Sequence, residues 1–256
     1  MFRLSNRLRA SARPIVQLTH KAMFHQRTAL PYDATNGLEP FLTKPAVDFL
    51  YNKRLAQLID NVNRMTGGTD HEGKSIYDVI YATAQNPTQA ALLNNASQAW
   101  NIGFFLESLT PTYIEPRDSM KRDIAHHFGT FERFQSTFEQ SALGLFGNGW
   151  TWLVVSSSGE LAVMNTFNAV SPFTALPHGH KASRKGVSYA SLSEKIDERP
   201  FVYATPILGL SMWQEAFIPD YAIDRESYVQ NFWKCVNWSA VEERLSPMRS
   251  SLQPAW

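Results

Sequence analysis

The sequence has little of three things that mark common protein classes: cysteine, charge and long apolar runs. Cys235 is the single cysteine among 256 residues, so the chain cannot form an internal disulfide or a cysteine cluster for zinc. No apolar run reaches the roughly 18 residues that a membrane span needs, so we expect no membrane partner. Charged residues make up only 18% of the chain, whereas 44% is hydrophobic and 12% aromatic. This composition excludes a disordered polar chain and predicts a packed core.

The first 32 residues contain no acidic side chain. Six basic residues lie there: Arg3, Arg7, Arg9, Arg13, Lys21 and Arg27. Hydroxyl and apolar residues are scattered among them, without the continuous apolar core of a secretory signal. This pattern predicts a mitochondrial transit peptide over residues 1–28 and a protein of the mitochondrial matrix, and a basic nucleic-acid-binding arm is the alternative. The rest of the chain has more acidic than basic side chains, which excludes a general binder of phosphate backbones.

The spacing of apolar residues changes from a helical to a strand period along the chain. The predicted helices cover about residues 43–66, 87–109, 119–127, 130–145 and 224–245, and the predicted strands 150–155, 161–167 and 201–210. Thr43 is expected to cap the first helix, and Ser75 a short one. The pattern predicts an α+β fold: a helical hairpin domain over residues 29–112, then a domain over 113–256 with a small three-stranded antiparallel sheet and flanking helices.

Separate segments, in order along the chain, carry a resemblance to a known family. They are Leu38-Glu-Pro, Gln98-Ala-Trp-Asn101-Ile-Gly-Phe-Phe, Phe128-Gly-Thr-Phe131, Gly147-Asn-Gly-Trp150-Thr-Trp-Leu, and Tyr221 with Asn231-Phe-Trp-Lys-Cys-Val-Asn-Trp238. Over nearly all of residues 30–245 the chain resembles the iron/manganese superoxide dismutases. The resemblance implies a helical hairpin followed by an α/β domain, in agreement with the pattern of apolar residues.

The resemblance also implies a metal bound by three histidines and one aspartate. The matching positions hold Leu50, Ile102, Ser211 and Glu215. Hydrocarbon side chains offer a metal ion no donor atom. We therefore expect no metal, no other cofactor, no catalytic residue and no enzyme activity.

Positions around the implied metal differ from the family as well. Arg54 and Leu58 stand where the resemblance implies a histidine and a tyrosine of the substrate channel. Gln98 is kept where iron-type members carry the glutamine that hydrogen-bonds metal-bound solvent, and Ala169 stands where manganese-type members carry theirs. Without a metal, Gln98 is expected to be a buried amide that its neighbours satisfy.

The resemblance implies dimers in which a glutamate of a Glu-His pair reaches the metal-bound histidine of the other subunit. In this chain Gln214-Glu215 replaces the pair, so the reciprocal bond is lost, while Trp213 beside it is kept. We expect Trp213, Gln214, Glu215 and Tyr221 to bind a partner chain.

With its basic N-terminus, the chain resembles the superoxide dismutase-like proteins of the fungal mitochondrial small ribosomal subunit. The expected function is structural support of mitochondrial translation, in a heterodimer with a second such protein and in contact with other small-subunit proteins. The alternative is an active or regulatory superoxide dismutase homologue of the mitochondrial matrix.

An insertion at about residues 177–201 separates the second and third predicted strands. Its first part is basic, and Lys181, Arg184 and Lys185 are expected to contact ribosomal RNA or an acidic protein. His178 and His180 lie there too, but without further ligands they predict at most a weak metal site.

Overall fold

A computed structural model of the chain describes residues 24–84, 86–156, 159–174 and 204–251. The helices are α1 (Lys44–Asp48), α2 (Ala56–Thr66), α3 (Ile76–Thr83), α4 (Ala90–Glu107), α5 (Asp118–Phe128), α6 (Phe131–Gly144), α7 (Gln214–Tyr221), α8 (Arg225–Phe232) and α9 (Trp238–Leu245), and the strands are β1 (Gly149–Ser156), β2 (Leu161–Phe167) and β3 (Ala204–Ser211). The predicted α+β fold is confirmed. The insertion at 177–201 and nearly all of the predicted transit peptide lie outside the described residues.

The first long helix of the hairpin is not one regular α-helix. A π-helical segment, Phe49–Leu55, links α1 to α2. Each of its turns contains about one residue more than a turn of an α-helix. The predicted capping role of Thr43 is wrong: its hydroxyl makes no cap hydrogen bond and instead donates to Asp220 Oδ1 at 2.6 Å. Thr43 thus ties the start of the hairpin to α7.

The second half of the hairpin follows the sequence pattern closely. Ser75 caps α3 as predicted, since its Oγ accepts a hydrogen bond from Asp78 N at 3.1 Å. The 18-residue α4 packs against both α2 and α3. A small separate core of Val62, Val79, Ile80, Leu92, Ala96 and Phe173 fills the space between these helices.

The sheet has the strand order β2-β1-β3, with both pairs antiparallel. Every residue of the central strand β1 is buried, including Trp150 and Trp152. Gly209 lies opposite Trp152, and a Cβ at Gly209 would stand 2.5 Å from the indole ring, so only glycine leaves room for the tryptophan. The third strand ends one residue later than predicted, and positions 201–203 of the predicted strand are not described.

The C-terminal part is more broken than the sequence predicts. The expected helix over 224–245 is α8, a 3-10 turn over Trp233–Cys235 and α9. The break follows from tertiary contacts: Thr110 N donates to Cys235 O at 2.8 Å, and Asn237 Oδ1 accepts from Ala240 N to start α9. The chain thereby pairs with the end of the hairpin instead of continuing as a helix.

The sequence pattern did not predict α7, which follows β3 almost directly and includes Pro219. Within the described part of the chain, no helix is both long and apolar enough to cross a membrane.

Candidate functional site

The four positions that the resemblance assigns to metal ligands lie where the hairpin meets the second domain. Leu50 lies in the π-helical segment and Ile102 in α4, and both are 2% exposed within the same hydrophobic core. Ser211 is the last residue of β3, and Glu215 lies in the first turn of α7. Because α4 packs against both the π-helical segment and β3, hydrocarbon from the hairpin fills its side of this junction.

The backbone of Ser211, the last residue of β3, is bonded to α8. Its carbonyl accepts a hydrogen bond from the hydroxyl of the fully buried Tyr228 at 2.8 Å. Burial raises the pKa of Tyr228 well above its ordinary value, so this phenol remains a hydrogen-bond donor. The contact anchors the end of the sheet to α8.

Glu215 faces Arg54 rather than a buried centre. Arg54 Nε donates to Glu215 Oε1 at 3.0 Å, and about three quarters of each side chain is shielded from solvent. Arg54 lies in the π-helical segment and Glu215 in α7, so the pair bridges the two halves of the molecule. A carboxylate that is neutralised by a guanidinium is a poor ligand for a cation.

Gln98 lies buried on α4 and only part of its amide has a partner. Trp150 Nε1 donates to Gln98 Oε1 at 3.3 Å, whereas Gln98 Nε2 has no acceptor among the described residues. The expectation that neighbours satisfy this amide is therefore wrong for its nitrogen. One turn further along α4, Asn101 Nδ2 donates to Ala169 O at 3.1 Å, which holds the turn after β2 against the helix.

Of the four predicted partner-binding residues, Trp213 and Gln214 lie at the surface, whereas Glu215, through Arg54, and Tyr221 are engaged within the chain. Gln214 is exposed, and Trp213 is half-buried with its Nε1 donating to Asn168 O at 3.3 Å. The Tyr221 hydroxyl donates to Phe41 O at 2.7 Å and accepts from Asn231 Nδ2 at 3.1 Å. Lys181, Arg184 and Lys185 lie outside the described residues.

The segments around Trp213 carry exposed apolar side chains that the sequence pattern did not predict. Five large ones lie on these segments, and we call this set the apolar face: Phe146, Phe167, Val170, Ile218 and Ile223. A helical or strand period of hydrophobic residues does not reveal them, because four of the five lie in turns or at the end of an element.

Hydrogen bonds hold the segments of the apolar face together. Asn148 accepts from Asn168 N through its carbonyl at 2.9 Å and from Gln214 N through its Oδ1 at 3.2 Å. Arg225 Nη2 donates to Leu145 O at 2.9 Å, which brings the start of α8 to the residue after α6. Phe146 and Ile223, which are 93% and 94% exposed, flank this last contact.

Two family models match the chain. The model described as "Iron/manganese superoxide dismutases, alpha-hairpin domain" matches residues 24–110, and "Iron/manganese superoxide dismutases, C-terminal domain" matches 116–182 and 182–244. The chain belongs to the iron/manganese superoxide dismutase family. The two stretches of the C-terminal match meet inside the predicted insertion.

Curated relatives of this family match the chain over most of its length. Iron superoxide dismutases of Escherichia coli K12 and Salmonella typhimurium are 32% identical to it over 225 residues, which is 88% of this chain and all of each relative. The iron superoxide dismutase of Entamoeba histolytica is 32% identical over 223 residues, 87% of this chain and all of the relative.

These relatives correct one expectation from the sequence. The prediction that the chain is no enzyme is contradicted, since proteins named as superoxide dismutases match 87–88% of it at 32% identity. The family of this chain is a family of enzymes. The four substituted ligand positions led to the prediction, but they are a local feature within a chain that is similar to these enzymes over most of its length.

The residues at the metal position do not fit iron or manganese. Leu50 and Ile102 present only hydrocarbon, and Glu215 is paired with Arg54. Within the described ranges, no group of three or more His, Cys, Asp or Glu side chains is placed to hold a metal ion.

Proposed function

We propose that this chain is a regulatory superoxide dismutase homologue of the mitochondrial matrix that acts by pairing with a second, non-identical chain of the family. The observation that carries the proposal is the apolar face beside Trp213. Large exposed apolar patches on soluble proteins mark surfaces that bind other proteins. The first 32 residues, with six basic and no acidic side chains, support the location in mitochondria.

The composition of the apolar face suits a protein partner. The amides Asn148, Asn168 and Gln214 lie near Trp213, where the charges of Arg54 and Glu215 neutralise each other. Asp224 and Arg225, of opposite charge, follow Ile223 at the other end. Interface centres are depleted of charge and rich in aromatic residues. Phe146 and Trp213 supply such anchors.

The same surface favours a non-identical partner. In the family dimer that the resemblance implies, a glutamate from each subunit crosses to a histidine of the other. Here Gln214 carries no charge and Glu215 bonds to Arg54 of its own chain at 3.0 Å, so two copies cannot exchange that bond. Specificity between similar partners depends on such one-way pairing.

Co-purification from mitochondria tests this proposal. We expect tagged protein to retain a family dismutase, and Ile218→Asp to lose it because a charge would be buried in the interface. Ile114→Asp is the matched control, since Ile114 is 52% exposed against 48% for Ile218 but lies away from the apolar face. Dismutase activity of the retained chain should change when the wild-type protein is removed. A wild-type protein that retains no family chain would contradict the proposal.

A second candidate function is a structural subunit of the mitochondrial small ribosomal subunit, paired there with a second dismutase-like protein. The insertion at 177–201 favours it, because Lys181, Arg184 and Lys185 carry positive charge that suits RNA phosphates or an acidic neighbour. Sedimentation of mitochondrial lysate separates the two candidates. Deletion of residues 179–198 should weaken co-sedimentation with the small subunit and leave the melting temperature of the isolated protein nearly unchanged. Normal co-sedimentation of the deletion variant would remove the support that the insertion gives.

A further inference from the structure

A cavity of about 520 Å³ opens between the hairpin and the turn after β2. Arg54 and Leu58 line it from the first long helix, Gln98 from α4, and Ala169 and Trp213 from the second domain. It adjoins the apolar face, since Val170 belongs to both, and its volume suits a small molecule.

The orientation of the Gln98 amide in this cavity is determined by Trp150. An indole N–H can only donate a hydrogen bond, so the atom 3.3 Å from Trp150 Nε1 must be the Gln98 oxygen. Gln98 Nε2 therefore is the amide's donor atom, and it is buried without an acceptor in the described part of the chain. Buried donors in native proteins are nearly always satisfied, so an acceptor that the chain does not supply belongs beside Gln98.

Arg54 supplies a second unused donor to the same cavity. It donates through Nε to Glu215 and through Nη1 to Gln57 Oε1 at 3.3 Å, and no partner of its Nη2 is found among the described residues. Three asparagines and Trp213 also line the cavity. Trp213 Nε1 donates to Asn168 O, and Asn95 bonds to Asn61 and to Ala91 O, whereas the side chains of Asn94 and Asn168 lie exposed at the mouth. Among the lining groups that are shielded from solvent, those left for a ligand are the Gln98 amide nitrogen and the Arg54 guanidinium, both of which donate.

We propose that this cavity is a metal-independent binding site for a small carboxylate, whose oxygens accept from Gln98 Nε2 and Arg54. A carboxylate has two oxygens that accept hydrogen bonds, and the cavity offers two donors, an amide and a guanidinium. Leu58 and Ala169 contact its short apolar part. Glu215 holds the Arg54 side chain in place and lowers the affinity, so that the bound anion is in rapid exchange.

Acetate is the probe, titrated against the full-length protein with chloride at equal ionic strength as the reference. We expect a saturable rise in melting temperature together with a saturable change in tryptophan fluorescence, since Trp213 lines the cavity and Trp150 bonds to Gln98. Gln98→Met keeps the length of the side chain and removes the donor. Loss of a hydrogen bond to a charged group should weaken acetate binding by about 10- to 100-fold.

Two comparisons keep the test decisive. Gln98→Met also removes the acceptor of the buried Trp150 Nε1, so its melting temperature without acetate should be lower than that of the wild type, and the diagnostic quantity is the rise that acetate causes. Gln230→Met, an exposed change on α8, should bind acetate like the wild type. If acetate has no saturable effect on the wild type, only water satisfies Gln98 and the proposal is overturned. Equal effects of acetate on the wild type and Gln98→Met would also overturn it, as binding elsewhere.

Discussion

Arg54 Nε lies 3.0 Å from Glu215 Oε1, and this ion pair joins the π-helical segment of the hairpin to the first turn of α7. Both residues stand at positions that the resemblance assigns to the metal centre or its channel. In this chain the two positions bond to each other. At this junction an ion pair between two side chains joins the hairpin to the second domain.

The first prediction concerns this pair. Arg54→Gln and Glu215→Gln should each destabilise the protein, and a double-mutant cycle should give a coupling energy of about 0.5–1 kcal/mol, the upper range for partly exposed ion pairs. Urea denaturation of the four proteins measures it, and raised salt should reduce it. A coupling energy of zero would show that the pair has no role in joining the halves.

The second prediction concerns Leu50, which is 2% exposed. Leu50→His should lower the free energy of unfolding by about 2–4 kcal/mol, because it buries a polar ring in a hydrocarbon environment. Added Fe²⁺ or Mn²⁺ should not restore the loss, since Ile102 and the paired Glu215 cannot complete a ligand set. Leu50→Met is the control and should cost less than about 1.5 kcal/mol. Recovery of Leu50→His stability with metal would contradict the lack of fit.

The third prediction concerns Tyr221, whose hydroxyl joins α7 to Phe41 O and Asn231. Tyr221→Phe should cost about 1–2 kcal/mol, because it leaves a buried carbonyl and an amide with one partner fewer. Tyr113→Phe, at an exposed position, should change stability by less than about 0.5 kcal/mol. Thermal and urea unfolding give both values. A loss of partner binding in Tyr221→Phe without loss of stability would instead place this hydroxyl in the interface.

The fourth prediction concerns stability at acidic pH. Burial, and secondarily the neighbouring His126, lowers the pKa of His127 below its ordinary value, while Glu160 and Asp123 oppose the shift. Between the lowered pKa and about 6.5 the unfolded chain binds more protons than the folded one, so stability falls as the pH falls through this window. His127→Gln should reduce the loss of stability between pH 7.5 and 5.5, measured by urea denaturation. An unchanged pH dependence would assign the effect to other groups, such as His25, whose pKa burial also lowers.

The amino-acid sequence alone predicted the α+β class and the order of the elements other than α7. The helical period up to residue 145 and the alternation after Trp150 predicted the hairpin, β1 and β2, because strongly periodic segments must bury one face whatever they pack against. The resemblance located Leu50, Ile102, Ser211 and Glu215, and residue chemistry alone showed that two of them cannot bind a metal.

The tertiary structure shows which contacts the residues at those positions make in place of binding a metal. A helical period does not reveal the π-helical segment that places Arg54 beside Glu215, since that pairing joins residues 161 positions apart. Thr43 has the sequence signature of a cap, yet it bonds to Asp220, 177 residues away. The apolar face and the unpaired nitrogen of Gln98 likewise depend on which turns meet in space, and short-range patterns carry no information about such long-range contacts.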